Sequence, residues 1–146
     1  MSLRIRTARL LEHRALEALQ MRASLANADD REALLANPDA VQIPLEQFSE
    51  GMVFVAELDG SVVGFAALEW RADGQADLDG LFVEPAMQRR GIGQSLLRHC
   101  VEAARSHGST SLHVVGNPHA EHSYRSCGFE SLGSVQPVSE MRSPYA

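Results

Sequence analysis

The chain has 146 residues and a formal net charge of −6, and all 13 of its basic residues are arginine. Without lysine, a Walker-type phosphate loop and Schiff-base chemistry on a protein amine are excluded, because each needs a lysine side chain. The acidic balance excludes a general nucleic-acid binder, which carries a basic face. An apolar content of 45 % suffices for one core in a single domain spanning 1–146, without disulfide staples.

Residues 3–8 alternate apolar and polar, as a half-buried strand does. Leu10, Leu11, Leu16, Leu19 and Leu25 recur at roughly helical spacing and predict a helix from about 10 to 25. Asp29 or Asp30 is the expected cap of a second short helix that stops before Pro38. The stretch to Phe48 has no clear period and reads as a loop. Two apolar runs, 52–56 and 61–68, flank Asp59-Gly60, which is a hairpin signal because a tight primed turn needs positive φ. A second hairpin at 71–74 leads into a strand over about 76–83. There Leu78, Leu81 and Val83 are spaced three and then two with Gly80 between them, which predicts a β-bulge.

Between Gly91 and His107, residues Ile92, Leu96, Leu97, Cys100, Val101 and Ala104 follow the 3.6-residue period, and Gly108 is the expected stop. A strand over 110–115 precedes a helix opened by Asn117-Pro118 and closed at Gly128. Two last strands cover about 129–134 and 138–142. The order β-α-α-β-β-β-α-β-α-β-β predicts an α/β domain, a mixed sheet with helices on both sides. No apolar run is long enough to cross a membrane, so no membrane partner is expected. Cys100 and Cys127 make no metal or disulfide framework, which points to the cytoplasm. The last strands carry few edge-blocking charges, which suits a homodimer paired along the sheet edge.

The charge is unevenly placed: +3 over residues 1–28, −11 over 29–84 and +2 over 85–146. A middle that repels anions precedes a tail that accepts them.

The segment 83–95 carries the clearest chemistry. A strand ends, Pro85 breaks it, and Gly91-Ile92-Gly93 opens a long amphipathic helix. Such a turn gathers several backbone N–H groups into one concavity with the positive helix end behind them. Arg89 and Arg90 add charge, so the segment reads as a pyrophosphate cradle. It is not a dinucleotide fingerprint, since Leu96 stands where the third glycine belongs. A nucleotide or phosphate binder using this turn alone is the simpler alternative.

A second segment places Asn117, Ala120, Tyr124, Gly128 and Phe129 at spacings of 3, 4, 4 and 1. Together with Gln88, Gly91 and Gly93, it resembles the GNAT-type N-acetyltransferase superfamily. The shared patterns are Gln-x-x-Gly-x-Gly followed by Asn-x-x-Ala-x-x-x-Tyr-x-x-x-Gly-Phe. The resemblance covers residues 50–130 most strongly. It implies a GNAT-like single domain with a splayed central sheet, with acetyl-coenzyme A as cosubstrate and an amine acceptor. Pantetheine is then expected along the main chain of Leu81, Phe82 and Val83. The pyrophosphate is expected at the amides of Arg89, Arg90, Gly91, Ile92, Gly93, Gln94 and Ser95, beside Gln88. Asn117 is placed to meet the pantetheine amides, and Tyr124 to protonate the departing thiolate. Ser123 departs from the family, which often has an aromatic residue there.

An attacking amine must also lose a proton. Asp77, Asp79 and Glu69 are the candidate bases, with Asp79 favoured because the bulge at Gly80 aims it toward the wedge. His113, His119 and His122 are too few for a zinc site, and no metal is expected. Cys127 reads as a small buried hydrophobe, and Trp70 as a candidate wall of the acceptor pocket. A non-catalytic module that senses acyl-coenzyme A is the alternative, and Tyr124 separates the two.

Overall fold

A computed structural model of the chain describes residues 2–26, 28–36, 41–116, 130–135 and 138–144. Strand β1 (Leu3–Thr7) leads through a 3-10 turn at Leu10–Glu12 into helix α1 (His13–Ala26). Helices α2 (Ala28–Ala36) and α3 (Leu45–Ser49) follow. Next come β2 (Val53–Leu58), β3 (Ser61–Trp70) and β4 (Ala76–Val83). Helix α4 (Ile92–Ser106) precedes β5 (Ser111–Gly116), β6 (Glu130–Val135) and β7 (Val138–Pro144). The helix expected after Asn117 lies outside the described residues.

The strands form one sheet in the order β1-β2-β3-β4-β5-β7-β6. The β4–β5 pair is parallel and the other pairs are antiparallel, which makes this the expected mixed α/β sheet. Its two faces follow from the period-2 alternation of strand side chains. Met52, Phe54 and Ala56 pack with Ile92, Leu96 and Cys100 of α4, whereas Val53 and Val55 pack with Leu16 and Leu19 of α1. Because helices cover both faces, β2 reads as an unbroken apolar run in the sequence. The β2–β3 turn has φ 51° at Asp59 and 88° at Gly60, as a primed hairpin turn requires.

Three expectations need correction. Helix α1 starts at His13, and Leu10 and Leu11 lie in the 3-10 turn before it, 59 % and 82 % exposed. The cause is Glu12, whose carboxylate accepts the Arg9 N–H (2.8 Å) and pairs with Arg6 (2.8 Å), fixing the chain before the helix begins. Arg6 also binds Glu57 (2.9 Å), and its guanidinium holds the Glu12 carboxyl below the usual carboxylate range. The buried stripe of α1 is Leu16, Leu19 and Ala23, and Leu25 is 38 % exposed. Second, Asp29 and Asp30 do not cap α2, because the helix already includes both. Third, the stretch before Phe48 is not all loop. Pro44 caps α3, and Phe48 and Gln47 are its buried residues.

Candidate functional site

The site begins where two parallel strands part. Strands β4 and β5 are paired at Ala76–Leu112, Asp77–His113 and Leu78–Val114, and the ladder ends there. Beyond that point β4 keeps its other neighbour, with Gly64 opposite Val83, while β5 stays paired with β7 to Gly116. The C-terminal half of β4 therefore turns one edge of its main chain toward an opening between the strands.

The divergence starts at a bulge. Ala67 pairs with Gly80 and Leu68 with Leu78, so Asp79 is the extra residue that no β3 residue opposes. One added residue inverts the alternation downstream. Ala76 and Leu78 before it and Leu81 and Val83 after it consequently all pack on the α4 side. This is the physical origin of the three-then-two spacing in the sequence. Phe82 points to the opposite face, against Phe65 at 5.5 Å between ring centroids.

At the end of β4 the Glu84 N–H donates to the Val63 carbonyl (2.8 Å), and a 3-10 turn at Pro85–Met87 reverses the chain. Arg89 then has φ 66° and Gly91 has φ 78°, and Gly91 caps α4. Nothing lies within 4 Å of where a Gly91 Cβ would sit, so glycine is required there by the left-handed backbone and not by space. Alternating backbone hands of this kind turn successive N–H groups inward as an anion-binding nest. The first-turn amides of Ile92 and Gly93 point the same way, since such amides have no acceptor within a helix.

A cleft of about 640 Å³ lies in front of this turn. Of the residues expected at the cradle, Leu81, Val83, Gln88, Arg89, Gly91, Ile92, Gly93 and Gln94 line it. Arg90 is exposed beside the cleft and not in its wall. Ser95 is turned away, its N–H and hydroxyl both donating to the Gly91 carbonyl at 3.1 Å. Met87 and Leu97 complete the apolar side of the wall; Leu97 reads in the sequence as part of the helix's apolar face, and Met87 carries no reading of its own. Asn117 and Tyr124 lie outside the described residues, as do Cys127, His119 and His122.

The three candidate carboxylates have different surroundings. Asp77 faces Arg71 at 3.5 Å. Glu69 borders an open bowl of about 690 Å³, shared with Glu46, Glu50 and Trp70. Trp70 stacks on His107, with ring centroids 3.9 Å apart. Asp79 borders a smaller cavity of about 160 Å³ on the α1 side, together with Gln20, Gln42, Phe65 and Phe82. Its Oδ2 accepts a hydrogen bond from Gln47 Nε2 at 3.1 Å. Gln47 carried no signal in the sequence, since it falls in an aperiodic stretch. Cys100 is buried, and burial pushes its thiol up to about 12, which removes it as a nucleophile.

An α/β domain with a sheet that opens beside a helix-capped anion nest is built to hold an extended, phosphate-bearing ligand. Residues 16–129 match the Acetyltransferase (GNAT) family, and the chain belongs to that family. It is 35 % identical over 116 residues to the aminoglycoside N(6')-acetyltransferase type 1 of Stenotrophomonas maltophilia, a match covering 67 % of this chain and 75 % of that protein. It is 36 % identical over 90 residues to the streptothricin acetyltransferase of Streptomyces lavendulae. That second match covers 58 % of this chain and about half (48 %) of the relative's length. In fold it is similar to the PaiA N-acetyltransferase of Thermoplasma acidophilum, solved in complex with coenzyme A. The TM-score is 0.82 at 18 % identity, over 99 % of this chain and 100 % of that one. Among the described residues no helix is long and apolar enough to cross a membrane.

Proposed function

We propose that this chain is an N-acetyltransferase that moves the acetyl group of acetyl-coenzyme A directly to the amine of a cationic acceptor, a small amine or a protein N-terminus. The observation that carries the reading is the end of the β4–β5 ladder at Leu78–Val114, immediately before the bulge at Asp79 and on the strand that leads into the nest. The edge of Leu81–Val83 opposite β3, beyond the end of the β4–β5 ladder, suits the pantetheine amides, which would add to the sheet as a short strand does. Arg89, Gly91 and the first-turn amides of α4 suit the pyrophosphate. Solved proteins of this fold in complex with coenzyme A or acetyl-coenzyme A support the same ligand.

The chemistry assigned to the chain is a proton handed in at one place and taken out at another. The amine nitrogen forms a bond to the acetyl carbon as the carbon–sulfur bond breaks. Asp79 accepts the proton that the amine loses, and the Tyr124 hydroxyl supplies one to the departing thiolate. Asn117 orients the pantetheine. The 160 Å³ beside Asp79 is room for about five water volumes, so only the reacting head of an acceptor enters. The rest extends outward, and the bowl with Glu46, Glu50 and Glu69 supports a positively charged remainder. A cytoplasmic location fits the reduced, buried Cys100.

The test is a panel of amines assayed for free thiol released from acetyl-coenzyme A. Cationic amines should be the best acceptors, and Tyr124→Phe should lower kcat by roughly 100-fold, within the range for a lost general acid. A panel in which no amine releases thiol leaves the non-catalytic acyl-coenzyme A sensor as the better reading. Preference for anionic acceptors would remove the charge argument.

A further inference from the structure

Gln47 is a polar residue with only 6 % of its surface exposed, on a helix of five residues, and no step of the reaction above uses it. Its amide nitrogen donates to two oxygens, the Leu68 carbonyl at 3.2 Å and Asp79 Oδ2 at 3.1 Å. Leu68 and Asp79 belong to the same irregularity: Leu68 is opposite Leu78, and Asp79 is the residue that the ladder skips. The amide of Gln47 therefore plugs the bulge from the α3 side.

We propose that Gln47 is a positioning residue for Asp79, fixing the bulge carboxylate so that it faces the acceptor cavity. This rests on the reading of Asp79 as the base. A bulge residue has no cross-strand partner to limit its rotamers, and Asp79 is exposed, so it needs an external anchor to present one constant oxygen to an amine. Gln47 is a stiff anchor. Its own N–H donates to the Pro44 carbonyl (3.1 Å), and its carbonyl accepts the Met52 N–H (2.8 Å). Two acceptors facing Nε2 also fix which way round the amide sits, because the reversed amide would set oxygen against oxygen.

The other end of the same amide argues that packing is not its purpose. Gln47 Oε1 is buried and has no hydrogen-bond partner among the described residues. A buried carbonyl without a partner weakens the fold, whereas a methionine of similar length would fill the space without that cost. The amide is thus explained by what its nitrogen holds.

Two measurements on the full chain test this. In 15N NMR spectra, the side-chain amide resonances of Gln47 should shift and lose protection from exchange in Asp79→Ala. Unchanged resonances overturn the contact, whatever the acceptor. In the thiol-release assay with the best amine of the panel, Gln47→Met should lower kcat on the order of tenfold. Tm should be unchanged or raised and KM for acetyl-coenzyme A unaltered. Gln47→Glu keeps the side-chain length but removes the donors, and should lose at least as much. Added to Asp79→Asn, Gln47→Met should cost nothing more, because both changes act through one carboxylate. An equal loss in both backgrounds, or full activity of Gln47→Met and Gln47→Glu, overturns the positioning role while leaving the base in place. Full activity of Asp79→Asn overturns the base itself, and the role of Gln47 with it.

Discussion

Around the bulge, each carboxylate is defined by its neighbour. Asp77 lies 3.5 Å from Arg71, whereas Asp79 is anchored by an uncharged amide and has no ion pair among the described residues. Glu46, Glu50 and Glu69 share the bowl and form no ion pair among the described residues. Trp70 is the only tryptophan of the chain and lies in the wall of that bowl, stacked nearly parallel to His107 at an interplanar angle of 12°. Its emission is therefore a direct reporter of the bowl proposed as the acceptor side. Titration with spermidine at low salt should give a saturating change in Trp70 fluorescence, with propylamine giving a much weaker one. Glu69→Gln should weaken spermidine binding several-fold, since a rim charge contributes modestly and is screened by salt. Equal responses to both amines would show that the remote charge of the acceptor is not recognised there.

At the scale of elements, the cradle depends on how closely α4 approaches the sheet. Gly64 of β3 lies beneath the helix start, where an added Cβ would be 2.9 Å from the Phe82 carbonyl and 3.3 Å from Leu96 Cδ1. The first contact is with backbone and cannot relax cheaply. Gly64→Ala should cost about 2 kcal/mol, a Tm lower by roughly 6 °C in a thermal melt. Because the shift falls on Ile92 and the turn before it, KM for acetyl-coenzyme A should rise more than kcat falls. On the other face, α1 fixes the approach to α3. His13 Nε2 contacts the Ile43 carbonyl at 2.8 Å, and Glu17 accepts the Ile43 N–H at 2.9 Å. That clasp sets where Gln47 enters the bulge. The period-3.6 pattern over 92–106 and the Asp59-Gly60 turn were readable locally. Helix α3 was not, because five residues are too short for a period and its cap is a proline with no side-chain hydrogen bond.

Across the whole molecule, stability should depend on pH through a half-buried histidine at the edge of the core. His99 of α4 packs edge-on against Phe54 of β2, with centroids 4.6 Å apart, and burial holds its imidazole below the usual 6.5. The folded chain then binds fewer protons at His99 than the unfolded chain once the pH drops below about 6.5, so stability is lost as pH falls through that value. His99→Gln should flatten the fall in Tm between about pH 7.5 and pH 5.5. An unchanged slope would show that the imidazole is hydrated in the fold.

The distribution of charge also changes meaning at this scale. Of the acids in the −11 segment, Glu57 pairs with Arg6, Asp73 and Asp77 with Arg71, and Glu84 with Arg22. These ties hold β1, the β3–β4 hairpin and α1 in place. Asp79 and the bowl's Glu46, Glu50 and Glu69 have no ion pair among the described residues.

The sequence by itself determined the fold class, the hairpins, the existence of a bulge near Gly80, and the turn with its glycine at a helix start. Each depends on local period or on a backbone conformation that few residues accept. Only the tertiary structure decided that the β4–β5 ladder stops at Leu78–Val114, that Ser95 turns away from the cleft, and that among the described residues Asp77 has an arginine partner and Asp79 none. It alone brought Gln47, 32 residues away in the chain, against that carboxylate. Those features arise from contacts between segments far apart in sequence, and neither spacing nor composition encodes which side chain fills a gap that a bulge leaves.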